Sequence, residues 1–236
     1  MENNINRLCT ICARGGSEGI PGKNLRILNG KPLIVHSIQH AQDSKLFSKI
    51  AVSSDSIEIL DSARKAGADI LVERPSELSS STAAKLPAIK HCVNQSEIIS
   101  GKNFETICDL DVTSPLRIKE DILGAVNMCE TSNCNNVITG NKSHRSPYFN
   151  MVELKKDGFV SIVKSPKNTI NRRQDSPDCF DCNASIYVWR REKLYTSETI
   201  VTNQTLIFVM PEERSRDIDK ELDFEIVEFL MSCRRS

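Results

Sequence analysis

Residues 8–24 read Leu8-Cys9-Thr10-Ile11-Cys12-Ala13-Arg14-Gly15-Gly16-Ser17-Glu18-Gly19-Ile20-Pro21-Gly22-Lys23-Asn24. A short apolar run of strand length, residues 8–13, gives way at once to a glycine-rich turn. After Pro32, the residues Leu33, Ile34, Ile38 and Ala41 recur at helical spacing, and Ile50-Ala51-Val52 then read as a second strand. Strand, loop, helix and strand in that order form the unit of a parallel sheet with crossover helices.

Working outward, the unit repeats. Ile57, Leu60, Ala63 and Ala66 are spaced as a helix that stops at Gly67. Residues 70–72 and 106–110 predict further strands, and residues 83–95 and 118–129 further helices. The rhythm breaks over residues 140–181, where no helical spacing appears; residues 148–154 and 159–163 predict a hairpin turning at Asp157-Gly158. It returns with strands at 184–189 and 206–210 and a last helix in which Leu222, Ile226, Phe229 and Leu230 share a face. The expectation is one α/β domain over residues 1–236, a mostly parallel sheet with flanking helices, carrying an inserted element at about 140–181.

Composition narrows the function. A chain of 236 residues with 39% hydrophobic residues can bury a full core without disulfides or a metal. The 31 basic residues exactly offset by 31 acidic ones argue against a nucleic-acid partner, which needs a basic excess. No apolar run reaches membrane-spanning length, and residues 1–7 lack the apolar stretch of a signal peptide, so a cytoplasmic location is expected and no membrane partner. Nine irregularly spaced cysteines agree with a reducing compartment. Cys179 and Cys182 form a CxxC pair that could be half a zinc site completed by Cys129 and Cys134, or simply reduced thiols.

Three segments carry candidate chemistry. The loop after the first strand faces the expected ligand edge of an α/β sheet; its glycines expose backbone N–H groups, and Arg14 and Lys23 add cations, a combination suited to polyphosphate. It is neither a Walker A loop nor a dinucleotide fingerprint, because Ser17 and Asn24 stand where the former needs Gly and Ser or Thr, and Pro21 interrupts the helix of the latter. In the second segment, Asp217-Ile218-Asp219, an extended backbone would put both carboxylates on one face about 7 Å apart, able to hold a hard cation. Asp219, Glu221 and Asp223 equally suit the N-terminal end of the last helix, and the sequence leaves capping and metal binding open. Third, Asp111 ends the fourth strand, where a carboxylate needs a metal, a cation or a substrate hydroxyl.

Residues 13–24 (ARGGSEGIPGKN), 74–78 (RPSEL), 113–117 (TSPLR), 183–187 (NASIY) and 217–224 (DIDKELDF), in that order, resemble the acylneuraminate cytidylyltransferase family, the CMP-sialic acid synthetases. Cys9-Thr10-Ile11-Cys12, Ala84-Lys85-Leu86-Pro87 and the Asp-Leu-Asp before residues 112–117 are most similar to the branch that activates legionaminic acid. The resemblance implies a Rossmann-like nucleotidyltransferase fold, a homodimer built through the inserted hairpin, and the reaction of CTP with a nonulosonic acid to give CMP-sugar and pyrophosphate. It implies that Arg14 and Lys23 bind the triphosphate, with Gly15 in the same loop, and that Asn24, Arg74, Ser80 and the Cys12-Ala13 backbone hold the nucleotide. Asp217 and Asp219 would hold Mg²⁺, with Asp111 a further ligand or proton acceptor, and Asp111, Arg173 and Tyr187 would face the sugar. The family's usual Lys, Gln and Arg are replaced here by Glu18, Asp111 and Asp181, and Phe149 stands where some members grip sialate with Lys. These departures favour a legionaminic-type sugar over N-acetylneuraminate; a non-catalytic nucleotide-binding or zinc-stabilised interaction protein is the rival from another class.

Overall fold

A computed structural model of the chain describes residues 5–16, 19–80, 83–164 and 176–233. In chain order the elements are β1 (Arg7–Cys12), β2 (Ile27–Leu28), β3 (Lys31–Pro32), α1 (Leu33–Ser44), β4 (Lys49–Ser54), α2 (Ile57–Lys65), β5 (Ile70–Glu73), α3 (Lys85–Ser100) and β6 (Thr106–Leu110). There follow α4 (Lys119–Thr131), β7 (Asn136–Lys142), β8 (Val152–Leu154), β9 (Val160–Ile162), β10 (Phe180–Arg190), α5 (Arg191–Thr196), β11 (Thr205–Val209) and α6 (Glu221–Cys233). A seven-stranded sheet has the order β11-β7-β10-β6-β1-β4-β5, while β2-β3 and β8-β9 are separate hairpins.

Period-2 alternation splits the core into two layers. From β1, Cys9 and Ile11 join α1, α2, α4 and α6 on one face, whereas Leu8 joins α3 and α5 on the other. On β6, Cys108 and Leu110 face the first layer and Ile107 the second. Asp109 and Asp111 follow Ile107 in the same alternation, which turns two carboxylates toward the face covered by α3.

β1 sits where the strand order reverses, with β4 on one side and β6 on the other. The loops leaving β1 and β6 diverge at their carboxyl ends and open a crevice there.

The α/β rhythm expected from the sequence is present, with two differences in the main sheet besides the unexpected β2-β3 hairpin and α5. β7 was not foreseen because only Val137 and Ile138 stand out as apolar in it. It is nonetheless buried over Asn136–Gly140, its polar side chains being satisfied internally: Asn136 donates to the Ile200 carbonyl at 2.8 Å and accepts from Thr205 at 2.7 Å. The second difference is β10, which runs antiparallel to both β6 and β7. It begins inside the stretch assigned to the insert: Phe180, Asp181 and Cys182 pair with Lys142, Asn141 and Gly140. The chain therefore leaves the sheet after Lys142 and rejoins it at Phe180, at the same edge as the crevice. The hairpin of this excursion, β8-β9, pairs Leu154 with Val160 around the expected turn.

The junction of β6, α1 and β10 is closed by Arg117, whose side chain is 1% exposed. Its guanidinium donates to the Ser185 carbonyl at 2.5 Å, to Ser37 Oγ at 2.6 Å and to the Asp111 carbonyl. The Ser185 carbonyl belongs to an irregular stretch of β10 where the register shifts and Ala184 takes a left-handed φ of 53°. Asn183 braces that stretch, accepting from Thr139 at 2.7 Å and donating to Ser215 at 3.0 Å. Arg117→Met keeps the volume but strands several buried oxygens, each costing roughly 1–3 kcal/mol. It should lower unfolding free energy by about 2–4 kcal/mol in a urea titration; a change below about 0.5 kcal/mol, the size of an ordinary surface substitution, would contradict this role.

Candidate active site

A cleft of about 450 Å³ occupies the crevice. The end of β1 and the loop after it contribute Cys12, Arg14, Lys23 and Asn24 to its lining; Arg74, Ser80, Asp111 and Asp219 also line it. Residues far apart in sequence, all anticipated as site residues, therefore converge at the switch point. Arg173 and Glu18 lie outside the described residues.

Ala13 and Gly15 do not line the cleft; their backbone groups are committed elsewhere. The Ala13 N–H donates to the Ser53 carbonyl at 2.9 Å and its carbonyl accepts from Arg74, while the Gly15 N–H donates to Asp55 at 2.9 Å. Arg74 also donates to Ser53 at 3.0 Å, so it ties the start of the loop to β4 as well as facing the cleft. Asn24 closes the loop on itself by donating to the Arg14 carbonyl at 2.8 Å.

The 217–219 segment is non-helical, with Ile218 fully buried between the two aspartates and its N–H bonded to the Thr113 carbonyl at 2.9 Å. Of the three residues in the capping reading, Asp223 takes that role: it accepts from the backbone N–H groups of Lys220 at 2.9 Å and Asp219 at 3.2 Å. The Asp219 side chain, 74% exposed, is turned to the cleft with the Lys23 ammonium 3.8 Å away. Lys23 in turn grips the Ile218 carbonyl at 2.5 Å, fastening the first loop to the acidic segment. The two stretches touch so closely at Gly19 that an added Cβ would lie 2.1 Å from the Asp219 carbonyl oxygen.

Burial pushes the Asp217 carboxyl above its ordinary range, and its Oδ1 is buried without a hydrogen-bond partner. An orphaned carboxylate oxygen next to a second, open carboxylate fits a hard cation. Among the described residues no group of three or more His, Cys, Asp or Glu side chains is arranged as a complete metal site. The donor set suits Mg²⁺ held by one or two carboxylates and completed by substrate oxygens and water.

Asp111 has both oxygens engaged and does not suit proton acceptance. Its Oδ2 accepts from Lys85, and its Oδ1 accepts from the Thr113 N–H at 3.1 Å and hydroxyl at 3.0 Å. Burial raises its carboxyl, but Lys85 and Thr113 outweigh that and hold it at about 2, too acidic for a useful base near neutrality.

Tyr187 does not line the cleft either; it is buried, stacked on Trp189 with ring centroids 5.9 Å apart, and burial pushes its hydroxyl up to about 12. Lys85 sits over its ring, with Nζ 4.5 Å from the centroid. Lys85 was the residue missed as a participant: the sequence singled out its tetrapeptide but offered no spacing that links residue 85 to strands β6 and β10. Of the four cysteines considered for zinc, Cys129 and Cys134 are buried while Cys182 is exposed on the far part of β10.

An open α/β sheet with a switch-point cleft walled by cations and carboxylates defines a Rossmann-like nucleotidyltransferase. Residues 8–229 match the family model described as Cytidylyltransferase, and the chain belongs to that family. It is 43% identical over 227 residues, 96% of this chain and 95% of the other, to the CMP-N,N'-diacetyllegionaminic acid synthase of Campylobacter jejuni. It is also 43% identical over 225 residues, 95% of this chain and 94% of the other, to the post-translational flagellin modification protein B of Campylobacter coli. The solved CMP:2-keto-3-deoxy-manno-octonic acid synthetase complexed with CTP shares the fold, with a TM-score of 0.68 and 16% identity over 97% of this chain and 99% of that one. Among the described residues no helix is long and apolar enough to cross a membrane.

The contact at Gly19 makes a direct test of the loop geometry. Gly19→Ala must displace the Asp219 backbone, at about 1–3 kcal/mol by the usual cost of overpacking. The expected outcome is a lower unfolding midpoint together with weaker CTP binding in calorimetry; unchanged values for both would show that the two segments do not need this approach.

Proposed function

We propose that the chain activates a nine-carbon nonulosonic acid of the legionaminic type with CTP, giving the CMP-sugar and pyrophosphate for bacterial surface glycan synthesis. The observation that carries the reading is one cleft lined by the Arg14 and Lys23 cations and by Asp219, with Lys23 fastened to the Asp217-Ile218-Asp219 segment, in a chain of the cytidylyltransferase family. The 43% identity to a CMP-N,N'-diacetyllegionaminic acid synthase over nearly all of both chains supports the sugar class.

In this reading Arg14 and Lys23 bind the triphosphate and stabilise the leaving pyrophosphate, while Asn24, Arg74, Ser80 and Cys12 hold the cytidine nucleotide. The sugar's anomeric hydroxyl attacks the α-phosphorus, and positioning with charge neutralisation supplies most of the acceleration. Asp217 and Asp219 would hold Mg²⁺, which when bound neutralises phosphate charge and acidifies a coordinated hydroxyl. Asp111 and Tyr187 shape the sugar side of the cleft, and Arg173 is assigned to the sugar carboxylate by resemblance. A homodimer through the insert is part of the proposal: Leu154, Phe159 and Val160 expose 76%, 72% and 59% of their surface on and beside the β8-β9 hairpin, an apolar cluster suited to a second copy. A cytoplasmic location accords with a CTP-consuming step and with nine unpaired cysteines.

Two measurements test the reading. Pyrophosphate release from CTP and Mg²⁺ should be fastest with legionaminic acid in a panel that includes sialic, pseudaminic and 3-deoxy-octulosonic acids; preference for sialic acid would reassign the sugar, and silence throughout would remove the activity. Asp219→Ala should lower turnover at least 100-fold, the loss of a main electrostatic contributor, while CTP binding weakens only severalfold. Near-normal release would return the segment to a purely structural role.

A further inference from the structure

Lys85 is the first residue of α3, a helix whose N-terminal end has no side-chain cap and no acidic residue in its first turn. A cation there opposes the helix dipole, a local disadvantage that needs another source of stabilisation. The sheet supplies it. Asp109 lies on β6 between Thr10 of β1 and Tyr187 of β10, which are its direct cross-strand partners. Thr10 donates to one Asp109 oxygen at 2.8 Å, and Lys85 Nζ approaches the other at 3.3 Å while donating to Asp111 and lying over the Tyr187 ring. Three strands and a helix thus converge on one ammonium, whose side chain keeps 23% exposure and lines the cleft.

Two of the three residues assigned to the sugar side from the sequence, Asp111 and Tyr187, therefore present themselves through Lys85. Asp111 has both oxygens occupied, and Tyr187 is buried beneath Lys85. An ammonium is a donor only, with three N–H bonds, so its complement on a ligand is an acceptor oxygen. With carboxylates already on two sides, the matching oxygen is an uncharged one, because a further anion would be repelled by Asp109 and Asp111.

We propose that Lys85 is a specificity-determining residue of the acceptor side, donating from its seat on Asp109, Asp111 and Tyr187 to an uncharged hydroxyl or acyl carbonyl oxygen of the sugar. The inference rests on the reading of this cleft as a site of CMP-sugar synthesis. It assigns to Asp111 and Tyr187 the task of positioning the ammonium.

The test uses the full chain with Lys85→Met and Lys85→Arg, a diacylamino nonulosonic acid and its fully hydroxylated counterpart, and separate titrations of CTP and sugar. Losing one charge-assisted hydrogen bond should raise the sugar KM about tenfold or more in Lys85→Met. The KM for CTP should stay within about twofold, since one lost sugar contact leaves the nucleotide contacts intact. A penalty confined to the diacylamino sugar identifies an acyl carbonyl, and an equal penalty on both identifies a hydroxyl; either supports the proposal. Lys85→Arg retains charge and donors, should keep CTP binding and partly restore the sugar KM, and carries the test if Lys85→Met does not fold. An unchanged sugar KM, or equal losses toward CTP and sugar in both variants, overturns the proposal. Failure of the unsubstituted chain on every sugar would instead remove the activity itself, and this inference with it.

Discussion

The guanidinium of Arg117 is buried among neutral oxygens, and the geometry of the crevice depends on it. A buried cation is expensive unless its hydrogen bonds are met. Here they are met by the Asp111 carbonyl at the end of β6, the Ser185 carbonyl on the irregular part of β10 and the Ser37 hydroxyl on α1. Desolvation lowers its affinity for the proton, but arginine remains charged, so the site cannot relax by neutralising itself. Three elements must come together to satisfy one side chain. That requirement places the backbone of Asp111, whose side chain then reaches Lys85 at the wall of the cleft.

Charge in the cleft is arranged in two ways. On the α3 face, Asp111 is matched by Lys85 and saturated, which suppresses acid-base chemistry and gives a rigid polar surface. At the other wall, Asp217 keeps a buried oxygen without a partner and Asp219 stays open, so this segment retains unspent affinity for a cation. A pair already matched contributes shape and direction; an unmatched pair recruits something from outside. The equality of 31 basic and 31 acidic residues across the chain hides this separation.

What could be read in the sequence followed from local rules. The β1 strand and glycine loop, the helical spacing of α1 and α2, and the Asp157-Gly158 hairpin are each encoded within a few neighbouring residues. β7 was missed because its burial comes from neighbouring strands and its polar residues are satisfied by residues 200 and 205. The placing of Arg14, Lys23 and Asp111 was legible because ligand loops gather at strand carboxyl ends, and Asp219 joined them through the family resemblance. Lys85 was not, because its meaning lies in cross-strand partners on β6 and β10 that no spacing along the chain reveals. Where Ala13, Gly15 and Tyr187 sit was not legible for a related reason: the Ala13 and Gly15 backbone groups are bound by the scaffold, and Tyr187 is buried beneath Lys85.

The antiparallel direction of β10 links these parts. Were it parallel, its first residues would start at the edge away from the cleft, and the excursion after Lys142 would have to cross the whole sheet. Running antiparallel, β10 begins at the ligand edge beside the end of β7, so the chain leaves the sheet after Lys142 and rejoins it at Phe180 on the cleft side. The same strand then passes through the Ser185 carbonyl that Arg117 holds and delivers Tyr187 under Lys85. One strand direction therefore determines both where the insert stands and which surface the sugar side of the cleft presents, and the left-handed Ala184 lies between the two as the bend that lets a single strand serve both.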